Sequence, residues 1–154
     1  MHSLRGIMTP DFTYERRIRE IDLDFLGHVN HAKYLSMLEE ARWELLAEQG
    51  FGFDRLRQER ISPVILGVNI QYKKEIVNRE LITIETWTAS SIGKVMSLRQ
   101  VIRKGNGQIG AEATITYGVM DLVQRKLVEP PDVWLQAIAL STERKGGTNV
   151  PSAV

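Results

Sequence analysis

From Asn30 onward, apolar residues recur at three- and four-residue spacing, at Ala32, Leu35, Leu38, Ala41, Leu45 and Leu46. Lys33, Glu40, Glu44 and Glu48 fall mostly to the other side. That is the pattern of an amphipathic helix. Asn30 is a preferred N-cap residue, and Gly50 and Gly52 stand where the pattern stops. No other stretch keeps this period for so long. The chain is predicted to build its core on this one helix.

Around it the period changes. Phe12, Tyr14, Arg16 and Ile18 alternate imperfectly, predicting a first strand over 12–22. Residues 53–60 read as a short helical turn or a loop. Val64 to Tyr72, opened by Pro63, is rich in β-formers. Leu81 to Ala89 sets Ile82 and Ile84 against Thr83, Glu85 and Trp87, and Val95 to Arg103 sets Met96, Leu98 and Ile102 against Ser97, Arg99 and Arg103. Ala111 to Leu122 places Ala111, Ala113, Ile115, Tyr117 and Val119 on one face, with alanines small enough for a helix to approach closely. After Pro130-Pro131-Asp132 a short helix is predicted through Leu140. Strand, long helix, then four antiparallel strands is an α+β order. One helix laid across a curved antiparallel sheet of about five strands buries every apolar face. Such a sheet leaves an edge strand open to a second copy, so a homodimer or homotetramer is expected.

With 154 residues, 43% hydrophobic and 25% charged, the chain fits one globular domain. We expect an N-terminal arm over 1–10, a single domain over 11–140 and a flexible tail over 141–154. A net charge of +1, with interspersed signs, provides no field for nucleic acid. Cysteine is absent, which removes thiolate metal sites and a cysteine nucleophile and is compatible with a reducing cytoplasm. No apolar run approaches the ~20 residues that cross a bilayer. Hence no membrane span is expected.

Two motifs mislead. Gly105-Asn106-Gly107-Gln108-Ile109-Gly110 matches the three-glycine dinucleotide pattern, but strands are predicted on both sides and Asn-Gly is a strong hairpin signal. His28 and His31 straddle a helix start without the acids that metal-ligand spacing needs, so no metal is expected. There is no serine elbow and no phosphate loop.

Chemistry concentrates in 20–34, Glu-Ile-Asp-Leu-Asp-Phe-Leu-Gly-His-Val-Asn-His-Ala-Lys-Tyr. With Asn30 as N-cap, the amides of His31, Ala32 and Lys33 would lack helical partners and form a positive terminus suited to an oxyanion. Asp24, across a glycine turn, would face them. A carboxylate opposite such amides is a minimal kit for hydrolysing an activated acyl compound, a thioester above all. Spacing alone equally allows a turn-forming aspartate, a capping asparagine and a Glu39–Arg42 helix pair.

The run Asp22-Leu23-Asp24-Phe25-Leu26-Gly27-His28-Val29-Asn30-His31-Ala32-Lys33-Tyr34, continuing Glu39-Glu40-Ala41-Arg42, resembles the hotdog-fold acyl-CoA thioesterases of the hydroxybenzoyl-CoA type and their fatty-acyl relatives. That resemblance implies a hotdog fold and hydrolysis of an acyl-CoA to coenzyme A and a carboxylic acid, with no cofactor beyond the coenzyme A of the substrate. It implies that Asp24 is the catalytic acid, that the backbone amide of His31 is the oxyanion donor, and that Asn30 and His28 shape them. Gly27, Tyr34, Tyr72, Lys73, Lys74, Ser91 and Lys94 become candidates for substrate contacts. His31 departs from the branch's usual asparagine, and Phe25-Leu26 from aromatic-substrate members, which leans towards fatty acyl groups. Hydrolysis of acyl carrier protein esters and non-catalytic acyl-CoA binding remain the alternatives.

Overall fold

The computed structural model describes residues 9–138. The expected arm up to residue 8, the end of the C-terminal helix and the expected tail lie outside the described residues. Strand β1 (Phe12–Arg17) leads through a 3-10 turn (Glu20–Asp22) to α1 (Lys33–Glu48) and the short α2 (Phe53–Glu59). Four long strands follow: β2 (Ile61–Tyr72), β3 (Leu81–Ile92), β4 (Val95–Arg103) and β5 (Ile109–Asp121), then a short β6 (Lys126–Val128). A last helix occupies 132–138. The class is α+β. Segment 53–60 is thus a helix, and β6 was not foreseen, being only three residues long.

The sheet is antiparallel, in the order β1-β3-β4-β5-β2, with β6 added to β5 beyond the end of β4. Its concave face carries Ile82, Ile84 and Thr86, then Met96, Leu98, Gln100 and Ile102, then Ala111, Ala113, Ile115, Tyr117 and Val119, all buried. These are the alternate residues that period-two reading places on one side. Tyr34, Met37, Leu38, Ala41 and Leu45 of α1 pack against that face in one continuous core. Ala111 and Ala113, each 1% exposed, hold the sheet side of that core. Gln100 ties the layers together: its side-chain amide donates to Leu38 O and Thr86 Oγ1, both at 3.1 Å.

The three-glycine motif is a hairpin. Gly107 N donates to Lys104 O at 2.9 Å with Gly107 at φ +84°, and Asn106 Oδ1 takes the Gln108 N–H. At the far side β2 pairs only with β5 among the described residues, and a bulge at Leu66 interrupts their register. Ile65, Val68 and Tyr72 on its concave side extend past α1 and stay 44%, 41% and 50% exposed.

Candidate active site

The first strand ends earlier than the alternation predicts, and charge is the reason. Arg16 leaves β1 with its guanidinium on Asp22, bonding both carboxylate oxygens at 2.8 and 2.9 Å. It also bonds Glu40 of α1 at 3.0 Å, and Glu40 accepts the Tyr14 hydroxyl at 2.6 Å. The Arg19 N–H completes the shell of Asp22. Burial works to raise the Asp22 pKa, but these donors outweigh it and hold the carboxyl below the usual carboxylate range. Turning the chain at Glu20–Asp22 makes this possible and starts the site segment from a fixed point.

From there the backbone folds back on itself. Asn30 N donates to Asp22 O, Leu23 bridges Val29, Asp24 N donates to His28 O, and Gly27 N to Asp24 O at 3.0 Å. Gly27 sits at φ +86°, a conformation other residues rarely adopt. The small loop is pinned from outside by Val29 N on Ile76 O at 2.9 Å and by a bridge between His28 and Val77. Ile76 is fully buried, and it fits because Gly110 opposite has no side chain.

Asp24 is a turn former and also lines an open cavity. Its Oδ1 takes the Leu26 N–H at 2.8 Å, a turn-forming bond, while Oδ2 lies 3.8 Å from His28 Nδ1. One oxygen orients the carboxylate and leaves the other to the pocket. The helix start needs a correction. The α-helix begins at Lys33, with Ala32 and not Asn30 at the cap. Asn30 stands two residues earlier: its Oδ1 takes the Ala32 N–H at 3.0 Å and its carbonyl takes the Lys33 N–H at 2.9 Å. Of the three amides expected to be open, two are therefore engaged. Among the described residues no acceptor takes the His31 N–H.

Asp24, His28, His31 and Tyr34 meet Tyr72, Lys73 and Lys74 around one open cavity of about 370 Å³, lined also by Val29 and Glu75. Tyr72 closes it by donating its hydroxyl to His31 O at 3.0 Å and by meeting the Tyr34 ring edge-on, centroids 5.0 Å apart. Burial raises the Tyr34 pKa above its ordinary value. Lys73 is paired with Glu112 at 3.2 Å, whereas Lys74 meets no acid among the described residues. Gly27 forms the exposed turn beside the cavity. Ser91 and Lys94 are not brought to it within one chain. Ser91 is level with Met96, Tyr117 and Ile65, whereas Tyr72 is level with Ala111 and Ile102. Seven residues of β2 separate those levels, roughly 23 Å of strand. Arg42 departs from the helix-pair reading too: it bonds Gln100 Oε1 at 2.9 Å, and no bonded pair with Glu39 forms. Val29 stood in the family-like run without being singled out, and Glu75 carried no sequence signal, since nothing local says that 75–77 comes back to 28–29.

An oriented carboxylate, an open amide and the side chains of Lys73 and Lys74 thus share one cavity. The family model of the thioesterase-like superfamily matches residues 18–138, so the chain belongs to that superfamily and is a thioester hydrolase. It is 38% identical over 111 residues to the long-chain acyl-CoA thioesterase FadM of Escherichia coli, covering 71% of this chain and 83% of that one. Its fold is similar to the crystal structure of YbaW, a probable thioesterase from Escherichia coli, with a TM-score of 0.73, 32% identity and coverage of 82% and 95%. It also resembles the 1,4-dihydroxy-2-naphthoyl-CoA thioesterase Slr0204 from Synechocystis, with a TM-score of 0.76, 20% identity and coverage of 83% and 95%. The architecture is the expected hotdog fold.

Proposed function

We propose that this enzyme hydrolyses acyl-CoA thioesters to coenzyme A and a free carboxylic acid, with Asp24 as the reacting side chain and the His31 N–H as oxyanion donor. The observation that carries this is the meeting of the Asp24 carboxylate and the open His31 amide at one cavity. The thioester carbonyl lies between them. Asp24 acts in one of two ways: it attacks the carbon to give a mixed anhydride that water then opens, or it takes a proton from the attacking water. In both, the carbonyl oxygen becomes negative and is met by a preorganised N–H, while the thiolate leaves. Asn30 supports the donor by holding Ala32 and Lys33 in the turn after it, and His28 flanks the acid. Lys74 and Lys73 are positioned for the phosphates of coenzyme A. The names of the relatives favour CoA esters over carrier-protein esters, and the oriented acid favours catalysis over mere binding. Without cysteine, the chain suits a cytoplasmic setting. Pairing through the open edge of β2 makes a dimer or a multiple of it.

The test is Asp24→Asn, assayed by thiol release over acyl-CoAs of graded length and aromatic ones. General acid–base or nucleophilic roles are worth about 100-fold to 10,000-fold, so turnover should drop by that order with the fold intact by circular dichroism. A variant that matches the parent's rate removes Asp24 from the mechanism.

A further inference from the structure

A second cavity, of about 100 Å³, lies between the C-terminal half of α1, the start of β2 and the helix at 132–138. Leu45, Leu46, Pro63 and Leu98 make its walls largely apolar. Two buried polar atoms that line it lack partners among the described residues, and a third polar side chain is engaged on one side only. The Trp134 indole N–H, on a residue only 2% exposed, meets no acceptor. It works to lower the pKa of Tyr117, yet burial dominates there and holds the phenol up at about 12, and no hydrogen bond closes between the two. The Gln49 Oε1 is buried without a donor. Arg42 spends one N–H on Gln100, and Glu39, which also lines the cavity, acts on its charge. A donor and an acceptor left dry in an apolar cavity cost free energy that a ligand hydroxyl would return, accepting from the indole and donating to the amide oxygen.

We propose that this cavity receives the far end of the acyl chain and selects chains that carry an oxygen there, as a hydroxyl or a carboxylate. The proposal rests on the thioesterase reading above. Tyr34 lines the Asp24 cavity and Arg42 lines this one, and both belong to α1. Eight helical residues advance about 12 Å. An extended chain covers that with roughly ten to twelve carbons, at ~1.2 Å per bond. Leu35, Ile65 and Val68, each at least 41% exposed, give the chain an apolar path along the seam between α1 and β2. At ~30 Å³ for each water-sized group, the cavity holds three or four heavy atoms. A terminal methyl there leaves the indole N–H unpaired; a terminal hydroxyl takes that N–H, and a terminal carboxylate adds the charge of Arg42.

The experiment measures kcat/KM for three dodecanoyl-CoAs ending in methyl, hydroxyl or carboxylate, in the parent, Trp134→Phe and Arg42→Met. The quantity read is the ratio of each oxygen-ended ester to the methyl-ended one, so that general effects of a substitution cancel. A parent ratio of about tenfold is expected, since sites built to bond an oxygen discriminate strongly against its absence. The hydroxyl ratio should collapse in Trp134→Phe and the carboxylate ratio in Arg42→Met. A parent ratio at or below one, or ratios indifferent to both substitutions, overturns the proposal. Should no CoA ester be hydrolysed, the thioesterase reading falls on its own, and the cavity is read by calorimetry with ω-hydroxydodecanoic and dodecanoic acids. Tighter binding of the hydroxy acid that is lost in Trp134→Phe upholds the cavity, and equal binding or none overturns it.

Discussion

Arg16 holds Asp22 by both carboxylate oxygens, at 2.8 and 2.9 Å, with the acid only 2% exposed. That grip, and not the 24–31 segment itself, fixes where the loop of the candidate site begins. Through Glu40 the same guanidinium reaches α1, so strand, loop and helix share one ionic knot. Removing the cation while keeping most of the stem, by Arg16→Met, strands a buried carboxylate. Breaking such a pair costs about 3–5 kcal/mol. Chemical denaturation should show a loss of that order at neutral pH, and Arg16→Met with Asp22→Asn together should recover part of it. The pH dependence has a fixed sign. The Asp22 pKa is lowered on folding, so its contribution is present above ~3.9, the unfolded value, and is lost as pH falls through the folded one. The gap between parent and variant should therefore be full at neutral pH and shrink in acid. A gap that widens in acid contradicts the assignment.

The alkaline limb belongs to Tyr14. Its hydrogen bond to the Glu40 carboxylate, with burial and charge behind it, pushes the phenol up to about 12. A raised pKa stabilises the fold below the unfolded value, ~10, and the contribution disappears as pH rises through the folded one. Tyr14→Phe should cost stability by a constant amount up to about pH 10 and approach the parent beyond it. Thermal melts across that range check this, and a deficit that persists undiminished in strong alkali refutes it.

Gly110 lies outside the candidate site but backs the residue that pins its loop. A Cβ there would come within 2.7 Å of Ile76 Cδ1 and 3.0 Å of Cγ1. Ile76 is fully buried and its carbonyl holds Val29. Gly110→Ala should destabilise by about 1–3 kcal/mol, the usual cost of overpacking, and should lower kcat more than Tyr117-side substitutions of equal stability cost. Adding Ile76→Val should restore both. Failure of that second change to restore activity would detach Gly110 from the loop.

These residues show what the chain discloses locally and what it withholds. Alternation placed Ile82, Ile84, Leu98, Ile102 and Ile115 on the buried face because period two is a local property of a strand. Asn106-Gly107 identified its hairpin for the same reason. Asp24 stood out through a family pattern, and spacing alone left it between turn former and catalyst. The Arg16–Asp22–Glu40 knot was invisible because it joins positions 6 and 24 residues apart whose proximity only the finished fold creates. Asn30 was misplaced as the cap because an asparagine that accepts from the amide two residues on looks, in sequence, the same as one that starts the helix. Ser91 and Lys94 were grouped with Tyr72 without knowledge that seven residues of β2 lie between their levels.

The open edge of β2 is the surface through which assembly is proposed. Twelve residues of strand, with Ile65, Val68 and Tyr72 half-exposed, present unpaired backbone donors and acceptors along one side among the described residues. Antiparallel pairing of two copies is isologous, so a residue near the middle of the strand meets its own counterpart close to the dyad. Val68 is such a residue. Val68→Lys would set two ammonium groups against each other there, the device by which natural edges resist pairing. Light scattering should give a dimer, or a multiple of it, for the parent and a shift towards monomer for the variant. Turnover should fall with the loss of the dimer if the acyl chain runs along the α1–β2 seam as proposed, because that seam is then open to water. A parent that is monomeric and fully active would end the case for assembly through β2.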